Sequence, residues 1–311
     1  MLADSYRGSM SQRELIVLGT ASQAPTRHRN HNGYAVRWDD RLVLFDPGEG
    51  TQRQFTFAGV AAARVTDICI THFHGDHCLG LPGMIQRLCG DGVERTVPIY
   101  HPADGAEFFE RLQFASAYQP VTPFEPTPID ANGVVGSLGR SNLLAQELDH
   151  RITSYGYRIQ EPDGRRLLPD RLAEAGIAGR AVGELSRQGW LDVDGQRIAI
   201  EEVSEMRAGQ SLAFVMDTRW CEGAQVLADG VDMLVCESTF LESEAHLAEQ
   251  YAHMTARQAG RLAREAGAKQ LVLTHFSARY PDVAAFVEEA KVEFDAVQAV
   301  ADFDRVALIR N

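Results

Sequence analysis

One short segment of the chain holds an unusual density of side chains that bind transition metals. Residues 71–77 read THFHGDH, an HxHxDH pattern that follows a short apolar run. Histidine nitrogens and aspartate oxygens are good ligands for zinc, and Gly75 is expected to allow a tight turn between them. So short a loop cannot bring all of these groups to one ion without strain. The pattern therefore predicts ligands for two ions: His72, His74, Asp76 and His77.

Further ligands are expected where other apolar runs end. Asp217 follows the run 212–216 and His275 follows the run 271–274, while His150 lies just before the segment 154–157. Runs of this length and composition are typical of buried strands, whose ends hold side chains in place. Since one carboxylate can bridge two cations, the count predicts two zinc ions with four protein ligands each. The two sets are His72, His74, His150 and Asp217, and Asp76, His77, Asp217 and His275.

Three more polar residues adjoin these positions. His253 lies two residues before Thr255, which begins the capping-box pattern of a helix. A helix N-terminus beside an imidazole lowers its pKa, so a neutral His253 is expected. Asp46 and Glu237 also follow apolar runs, but the two sets of metal ligands are complete without them. They are interpreted either as hydrogen-bond partners of the ligands or as simple strand terminators.

The elements that must position these groups mix strands and helices along the whole chain. Helical apolar stripes cover 103–117, 256–266 and 282–294, whereas the Pro/Gly-rich stretch 121–142 is expected to be a loop. This pattern predicts an α/β fold with sheets covered by helices. Residues 160–210 have weak periodicity and several Gly-containing turns, which favours an inserted arm.

Composition narrows the functional classes. The net charge of −13 argues against unspecific coating of nucleic acid, although local arginines can still contact phosphates. The absence of a long apolar run predicts no membrane span. Five cysteines and no signal sequence favour a reducing, cytoplasmic location. Residues 1–9 are interpreted as disordered or extraneous, with Met10 as the natural start.

Taken together, the motifs resemble the ribonuclease Z family of the metallo-β-lactamase superfamily. Examples are PTRHRN at 25–30, FDPGEGTQRQ at 45–54 and THFSARY at 274–280. The resemblance also rests on further segments in family order: 18–20, 71–77, 154–158, 217–219, 237–240 and 253–256. It implies one metallo-β-lactamase domain over 1–311, an αββα sandwich, with residues 160–210 as a flexible substrate-binding arm. Two departures are Met216, where the family has Gly, and an arm tip without proline.

The resemblance implies a zinc-dependent endoribonuclease that removes the 3′ trailer from precursor tRNA. The products would be a 3′-hydroxyl on the tRNA and a 5′-phosphate on the trailer, and the enzyme would be a homodimer. Asp76 is then expected to act as general base and His253 to protonate the departing 3′-oxygen. Residues expected to contact substrate are Arg27, Arg29, Asn30 and Arg219. Residues 165–187, with five arginines against three acidic residues, are expected to form a basic tip on the arm.

Two alternatives remain open at this point. The chain could be a small-molecule hydrolase or cyclic phosphodiesterase of the same superfamily, but the arm and the 25–30 loop speak against it. It could instead be a zinc-stabilised nucleic-acid-binding subunit without activity. That class is expected to lose metal ligands, and all seven are present.

Overall fold

The structure, a computed structural model, describes residues 13–308. The interpretation of residues 1–9 and of Met10 lies outside these residues. The chain divides into two compact units, one formed by the residues up to Gln160 and from Ser211 onward, the other by Glu161–Gln210.

The strands alternate with helices along the chain. In chain order the strands are β1 (Glu14–Gly19), β2 (Gly33–Trp38), β3 (Arg41–Phe45), β4 (Asp67–Cys69), β5 (Val97–Pro102), β6 (Phe124–Ile129), β7 (Gly133–Leu138), β8 (Ser141–Leu148), β9 (Ser154–Gln160), β10 (Gly164–Leu167), β11 (Trp190–Val193), β12 (Gln196–Ala199), β13 (Ser204–Arg207), β14 (Ser211–Val215), β15 (Met233–Glu237), β16 (Leu271–Thr274), β17 (Val297–Ala299) and β18 (Arg305–Ala307).

The helices are mostly short. They are α1 (Thr51–Phe57), α2 (Gly75–Cys78), α3 (Leu81–Gly90), α4 (Ala106–Gln113), α5 (Pro169–Glu174), α6 (Arg180–Gln188), α7 (Glu222–Ala228), α8 (Ala245–Tyr251), α9 (Ala256–Glu265) and α10 (Ala284–Lys291). Single turns of 3₁₀-helix cover Ala62–Arg64, Ala103–Gly105, Ile200–Val203 and Glu242–Glu244.

Two mixed sheets form the larger unit. Among residues 13–308 each sheet has seven strands, in the orders β18-β1-β2-β3-β4-β5-β6 and β17-β16-β15-β14-β9-β8-β7. Strands β3 to β6 are parallel in the first sheet, and β14 to β17 are parallel in the second. In each sheet the parallel strands therefore end at one shared edge.

The two sheets pack face to face around an aromatic core. Phe45 of the first sheet stacks on Phe214 of the second, with ring centroids 4.7 Å apart, and Tyr34 meets Phe214 edge-on at 5.2 Å. Helices α1 and α3 bury Phe55 and Met84 against the outside of the first sheet. Helices α7, α9 and α10 cover the outside of the second. The expected α/β class with sheets covered by helices is confirmed, and the layers follow the order αββα.

The local expectations had mixed outcomes. Helix α9 begins at the predicted capping box, in which Thr255 Oγ1 accepts a hydrogen bond from the Gln258 amide at 3.2 Å. The expected loop over 121–142 is wrong, because β6 and β7 occupy most of it. Among the strands of residues 13–308, β6 lies at the end of the first sheet and pairs only with β5, and prolines are tolerated at such an edge.

The unit Glu161–Gln210 is folded around its own small core. Leu172, Ile177, Leu185 and Val203 are buried in it. Strands β10 and β13 pair antiparallel, and β11 and β12 form a hairpin whose turn residues Asp194 and Gly195 both have positive φ. The weak periodicity of the sequence therefore reflects short elements, not an absence of structure.

Within residues 13–308, the helices are all too short or too polar to span a lipid bilayer.

Candidate metal centre

The candidate ligands come from the strand ends of both sheets. The loop after β4 carries His72 and His74 and leads into α2. In the second sheet Asp217 follows β14 and His275 follows β16, which end at the same edge because both belong to the parallel set. His150 lies between β8 and β9, and β9 runs antiparallel to β14, so this loop reaches the same edge.

A first group of four side chains converges at this edge. His74 Nδ1 lies 2.9 Å from His72 Nε2 and 3.3 Å from His150 Nε2. Asp217 Oδ2 lies 3.6 Å from His72 Nε2 and 3.7 Å from His150 Nε2. Ligand atoms of a tetrahedral zinc ion with bonds near 2.0 Å stand about 3.3 Å apart. The group therefore fits one zinc ion in size and in type of ligand.

A second group uses the other oxygen of the same carboxylate. Asp217 Oδ1 lies 3.2 Å from His77 Nε2 and 3.1 Å from His275 Nε2. Asp76 Oδ2 lies 3.4 Å from the former nitrogen and 3.7 Å from the latter. These separations again bracket the tetrahedral spacing of about 3.3 Å. Because its two oxygens face different groups, Asp217 has the geometry of a bridging ligand.

Unsatisfied buried atoms support the presence of a further group at this point. Among residues 13–308, Asp217 Oδ1 and His275 Nε2 are buried without a hydrogen-bond partner. They are 3.1 Å apart, yet the angles between them do not suit a hydrogen bond. Buried polar atoms without partners are costly, and two ligands that face a common ion account for such an arrangement.

Strained backbone marks three of the strand ends. Asp46, Asp217 and His275 have φ values of 47°, 34° and 62°, which non-glycine residues seldom adopt. Gly48 is needed for close packing here, since a Cβ atom there would lie 2.2 Å from the Asp76 carbonyl oxygen. Gly75, the glycine expected to form a tight turn, is instead the first residue of α2 and lacks a positive φ.

Asp46 orients histidines of both groups. Its Oδ2 lies 2.8 Å from His77 Nδ1 and accepts a hydrogen bond from Thr71 Oγ1 at 2.8 Å. Thr71 Oγ1 in turn lies 2.9 Å from His72 Nδ1. Asp46 is fully buried. Of its two sequence interpretations, the structure supports the hydrogen-bond partner over the simple strand terminator.

Glu237 repeats this arrangement on the second sheet. Its Oε1 lies 2.9 Å from His253 Nδ1 and accepts a hydrogen bond from the Thr218 amide at 2.8 Å. Its Oε2 accepts a hydrogen bond from Thr239 Oγ1 at 2.6 Å, and Thr239 Oγ1 in turn lies 2.8 Å from His275 Nδ1. Glu237 therefore contacts one histidine directly and another through a threonine hydroxyl.

His77 differs from the histidines of the first group in the direction in which its surroundings shift the pKa. Burial lowers the pKa of His72, His74 and His150, which favours the neutral form that binds metals. Burial acts the same way on His77, but Asp217, Asp76 and Asp46 outweigh it and hold the pKa of His77 well above its usual value. Carboxylates crowded around one imidazole create a negative potential that a cation would relieve.

His253 differs from the sequence expectation. Burial lowers its pKa, but Glu237 and Asp217 outweigh burial and raise the pKa of His253 to about 9. The expectation of a pKa lowered by the helix N-terminus is therefore wrong, because the contact with Glu237 dominates. His253 also lies near enough to Asp217 and His275 to form a third group of candidate ligands. Since Asp217 and His275 also belong to the groups described above, this third group overlaps them and adds no separate site.

A cavity of about 550 Å³ opens over the cluster. Its lining includes His74, Asp76, His150, Asp217 and His253. His72, His77 and His275 are fully buried beneath them. A substrate that enters the cavity therefore contacts residues of both candidate metal groups, including Asp76, and it also contacts His253.

The expected substrate-binding residues fall into two classes. Arg27 is exposed beside a second cavity and has no hydrogen bond or ion pair within residues 13–308. Arg29 instead donates to the carbonyl oxygens of Ser277 and Tyr280, while the Asn30 side chain donates to the Glu49 carbonyl at 2.8 Å.

Arg219 is likewise engaged, at 2.9 Å from the Asp149 carboxylate beside His150. The contacts of Arg29, Asn30 and Arg219 therefore hold loops around the cavity, and their roles toward substrate stay predictions.

Comparison with known proteins identifies the family. The model of the metallo-β-lactamase superfamily matches residues 26–169. A ribonuclease Z from Salinispora arenicola is 55% identical over 293 residues, covering 94% of this chain and 95% of the relative. The chain belongs to the ribonuclease Z family. A ribonuclease Z from Chlamydia muridarum is 45% identical over 94% of the chain and 97% of its own length.

Solved structures show the same fold. The short form of human tRNase Z matches with a TM-score of 0.70 and 22% identity, over 96% of this chain and all of that one. The metallo-β-lactamase fold protein YhfI from Bacillus subtilis matches with a TM-score of 0.69 and 19% identity, over 96% of this chain and 99% of that one. Family and fold together make the chain a hydrolase of the ribonuclease Z type.

Proposed function

We propose that this chain is a zinc-dependent endoribonuclease that removes the 3′ trailer from precursor tRNA. Cleavage would leave a 3′-hydroxyl on the tRNA and a 5′-phosphate on the trailer. The observation that carries the proposal is that two groups of candidate ligands lie on either side of Asp217, whose two oxygens each face one group, beside an open cavity. Family membership supplies the substrate class.

The proposed ligands fit two zinc ions. One group comprises His72, His74, His150 and Asp217, and the other comprises Asp76, His77, Asp217 and His275. Bound zinc would supply Lewis-acid activation of a water molecule and of the scissile phosphate. The protein contributes a fixed arrangement of ligands, and Asp46 and Glu237 hold three of the histidines in it.

Asp76 is the proposed proton acceptor. Its side chain is 11% exposed, against 4% for Asp217 and none for Asp46, so it is the most accessible carboxylate of the three. Burial raises its pKa, but His77 and His275 outweigh burial and hold the pKa of Asp76 below its usual range. The ionised form needed to accept a proton from water is therefore the stable one.

His253 is the proposed proton donor. With its pKa raised, the imidazolium donates through Nδ1 to Glu237 and retains the proton on Nε2. The ring also lines the cavity. It can therefore protonate the departing 3′-oxygen of the tRNA, as the family resemblance implies.

The unit Glu161–Gln210 is the proposed tRNA-binding arm. Some of its arginines form ion pairs with acidic residues from elsewhere in the unit. Arg165 lies 2.8 Å from Glu201, and Arg166 pairs with Glu205. These acidic partners lie outside 165–187, so the basic tip expected from that segment is less basic than its composition indicates. Within residues 13–308, Arg180 and Arg187 of α6 have no ion pair, and we assign phosphate contact to them.

Two further features are proposed from the family resemblance alone. These are assembly as a homodimer and location in the cytoplasm. Substrate contact by Arg27, Arg29, Asn30 and Arg219 belongs to the same proposal.

The test is an end-mapped cleavage assay on a labelled precursor tRNA. The zinc-loaded protein should cut once at the 3′ side of the tRNA, leaving a 3′-hydroxyl on it and a 5′-phosphate on the trailer. A small nitrophenyl phosphodiester and a lactone, run in parallel, should be turned over with far lower kcat/KM. Preference for either small ester over precursor tRNA would contradict the proposal and favour a small-molecule hydrolase.

A further inference from the structure

We propose that the hydroxyl groups of Thr71 and Thr239 are positioning groups, each of which fixes the tautomer of one metal-binding histidine. Thr71 acts on His72 in the first ligand group, and Thr239 acts on His275 in the second. This inference rests on the two-ion centre proposed above. It adds two residues to that centre that are neither ligands nor carboxylates.

The direction of the hydrogen bonds follows from counting protons. A threonine hydroxyl has one proton, and an ionised carboxylate can only accept. Thr71 Oγ1 lies 2.8 Å from Asp46 Oδ2, so the hydroxyl proton points to Asp46. Its oxygen can then only accept from His72 Nδ1, 2.9 Å away. The proton of neutral His72 is thereby held on Nδ1, which leaves the Nε2 lone pair free for a metal.

Thr239 makes the same contacts in the second sheet. Its Oγ1 donates to Glu237 Oε2 at 2.6 Å and therefore accepts from His275 Nδ1 at 2.8 Å. Glu237 Oε2 also accepts a hydrogen bond from the Thr239 amide at 3.2 Å, so this oxygen acts as an acceptor. The His275 Nε2 lone pair then faces Asp217 and Asp76, where the second group converges.

Within residues 13–308, Nδ1 of His72 and Nδ1 of His275 have no hydrogen-bond partner besides these hydroxyls. Thr71, His72 and His275 are fully buried, and Thr239 is 2% exposed. Without the hydroxyl, the Nδ1–H group would be buried and unsatisfied, which costs about 1–3 kcal/mol. The imidazole could avoid this cost by moving its proton to Nε2, but that tautomer cannot bind a metal through Nε2.

The two hydrogen-bonded chains of carboxylate, threonine and histidine differ in the other histidine that each carboxylate contacts. Asp46 also contacts His77 directly, so it reaches both ligand groups, whereas Thr71 reaches only His72. Glu237 also contacts His253, whereas Thr239 reaches only His275. Substitution of each threonine should therefore weaken one ion and spare the other. Substitution of Asp46 would disturb histidines of both groups, and substitution of Glu237 would disturb His253 together with His275.

The experiment compares Thr71→Val, Thr71→Ser, Thr239→Val and Thr239→Ser. Zinc affinities are measured by competition with a chromophoric chelator, and exchange of the imidazole Nδ1–H protons with water is measured by NMR on zinc-loaded, ¹⁵N-histidine-labelled protein. Each valine variant should lose about 10–100-fold in affinity for one ion while the other keeps its affinity. Its Nδ1–H signal should exchange at least tenfold faster, and serine should restore both properties.

Ser238→Ala is the matched control. Ser238 is buried beside Thr239, and its hydroxyl donates to the Thr274 carbonyl at 3.1 Å; within residues 13–308 it has no hydrogen bond to a histidine. This variant should keep both zinc affinities and the Nδ1–H exchange rates.

The inference fails if the valine variants match the wild type in both measurements. It also fails if Ser238→Ala produces the same loss, since the hydroxyls would then be structural. Failure of the wild type to bind two zinc ions would instead contradict the proposed function.

Discussion

The metal centre and the unit Glu161–Gln210 use charged residues in opposite ways. In the centre Asp46, Asp217 and Glu237 are buried, and Asp46 and Glu237 each accept hydrogen bonds from several donors. In the smaller unit the ion pairs join one arginine to one carboxylate, as in the exposed pair of Arg166 and Glu205. Exposed pairs contribute at most about 1 kcal/mol and are screened by salt, whereas buried groups tolerate little change.

This difference determines what each region can lose. Removing a group from the centre leaves a buried neighbour without a partner, so the effects should be large and specific. Removing an exposed arginine should leave the fold intact and change only what binds to it. The three predictions below test this contrast, from the largest expected effect to the smallest.

Asp217→Asn should have the largest effect. Both ligand groups depend on this carboxylate, so the variant should bind less than one zinc ion per chain. Because metal activation is worth several kcal/mol, turnover of precursor tRNA should fall at least about 10⁴-fold. Elemental analysis and single-turnover cleavage measure the two effects.

Asp67→Asn is the control for this substitution. Asp67 is also a buried carboxylate, 3.6 Å from Arg41, but it lies at the start of β4, away from the strand ends. The Asp67→Asn variant should retain two zinc ions per chain. Equal metal loss in both variants would mean that any buried carboxylate matters and that Asp217 is not a bridge.

His253→Ala should come next in size. As a proton donor outside the two ligand groups, His253 should contribute about 10²–10⁴-fold to kcat and nothing to zinc content. His246→Ala, at an exposed position of α8, should leave both unchanged. Loss of zinc from His253→Ala would show that the third group of candidate ligands is the real one.

The double substitution Arg180→Ala/Arg187→Ala should have the smallest effect. Both residues lie on one exposed face of α6, without ion pairs among residues 13–308. Their loss should weaken binding of precursor tRNA about tenfold, or about 1.4 kcal/mol. The slope of the logarithm of the binding constant against the logarithm of salt concentration should become less steep by about two. Turnover of a small phosphodiester should not change.

Arg165→Ala/Arg166→Ala is the matched pair for this test. Both of these guanidinium groups already contact glutamates, so tRNA affinity should stay within about twofold of the wild type. Equal losses in the two double variants would mean that only total charge matters. Both double variants leave the core residues Leu172 and Leu185 of this unit unchanged.

The same contrast explains what the sequence could predict. Asp217 and His275 were identifiable because an apolar run that ends in a polar residue marks a strand end, and parallel strands end at a shared edge. The net charge of the expected basic tip could not be counted from 165–187 alone, because Glu201 and Glu205, the partners of Arg165 and Arg166, come from a later segment.

Other features depended on tertiary contacts. Thr71 and Thr239 gave only a weak signal, each standing near a candidate ligand or a strand-end carboxylate in the sequence. Their roles became visible only when the distances to His72 and His275 were known. The raised pKa of His253 could not be anticipated for the same reason, since Glu237 lies 16 residues away along the chain.

The central claim is that two ions share Asp217, and anomalous diffraction at the zinc edge from crystals of zinc-loaded protein tests it most directly. The account predicts two peaks per chain, about 3.5–4 Å apart, with Asp217 between them and His253 bound to neither. A single peak, or a peak bound by His253, would contradict it.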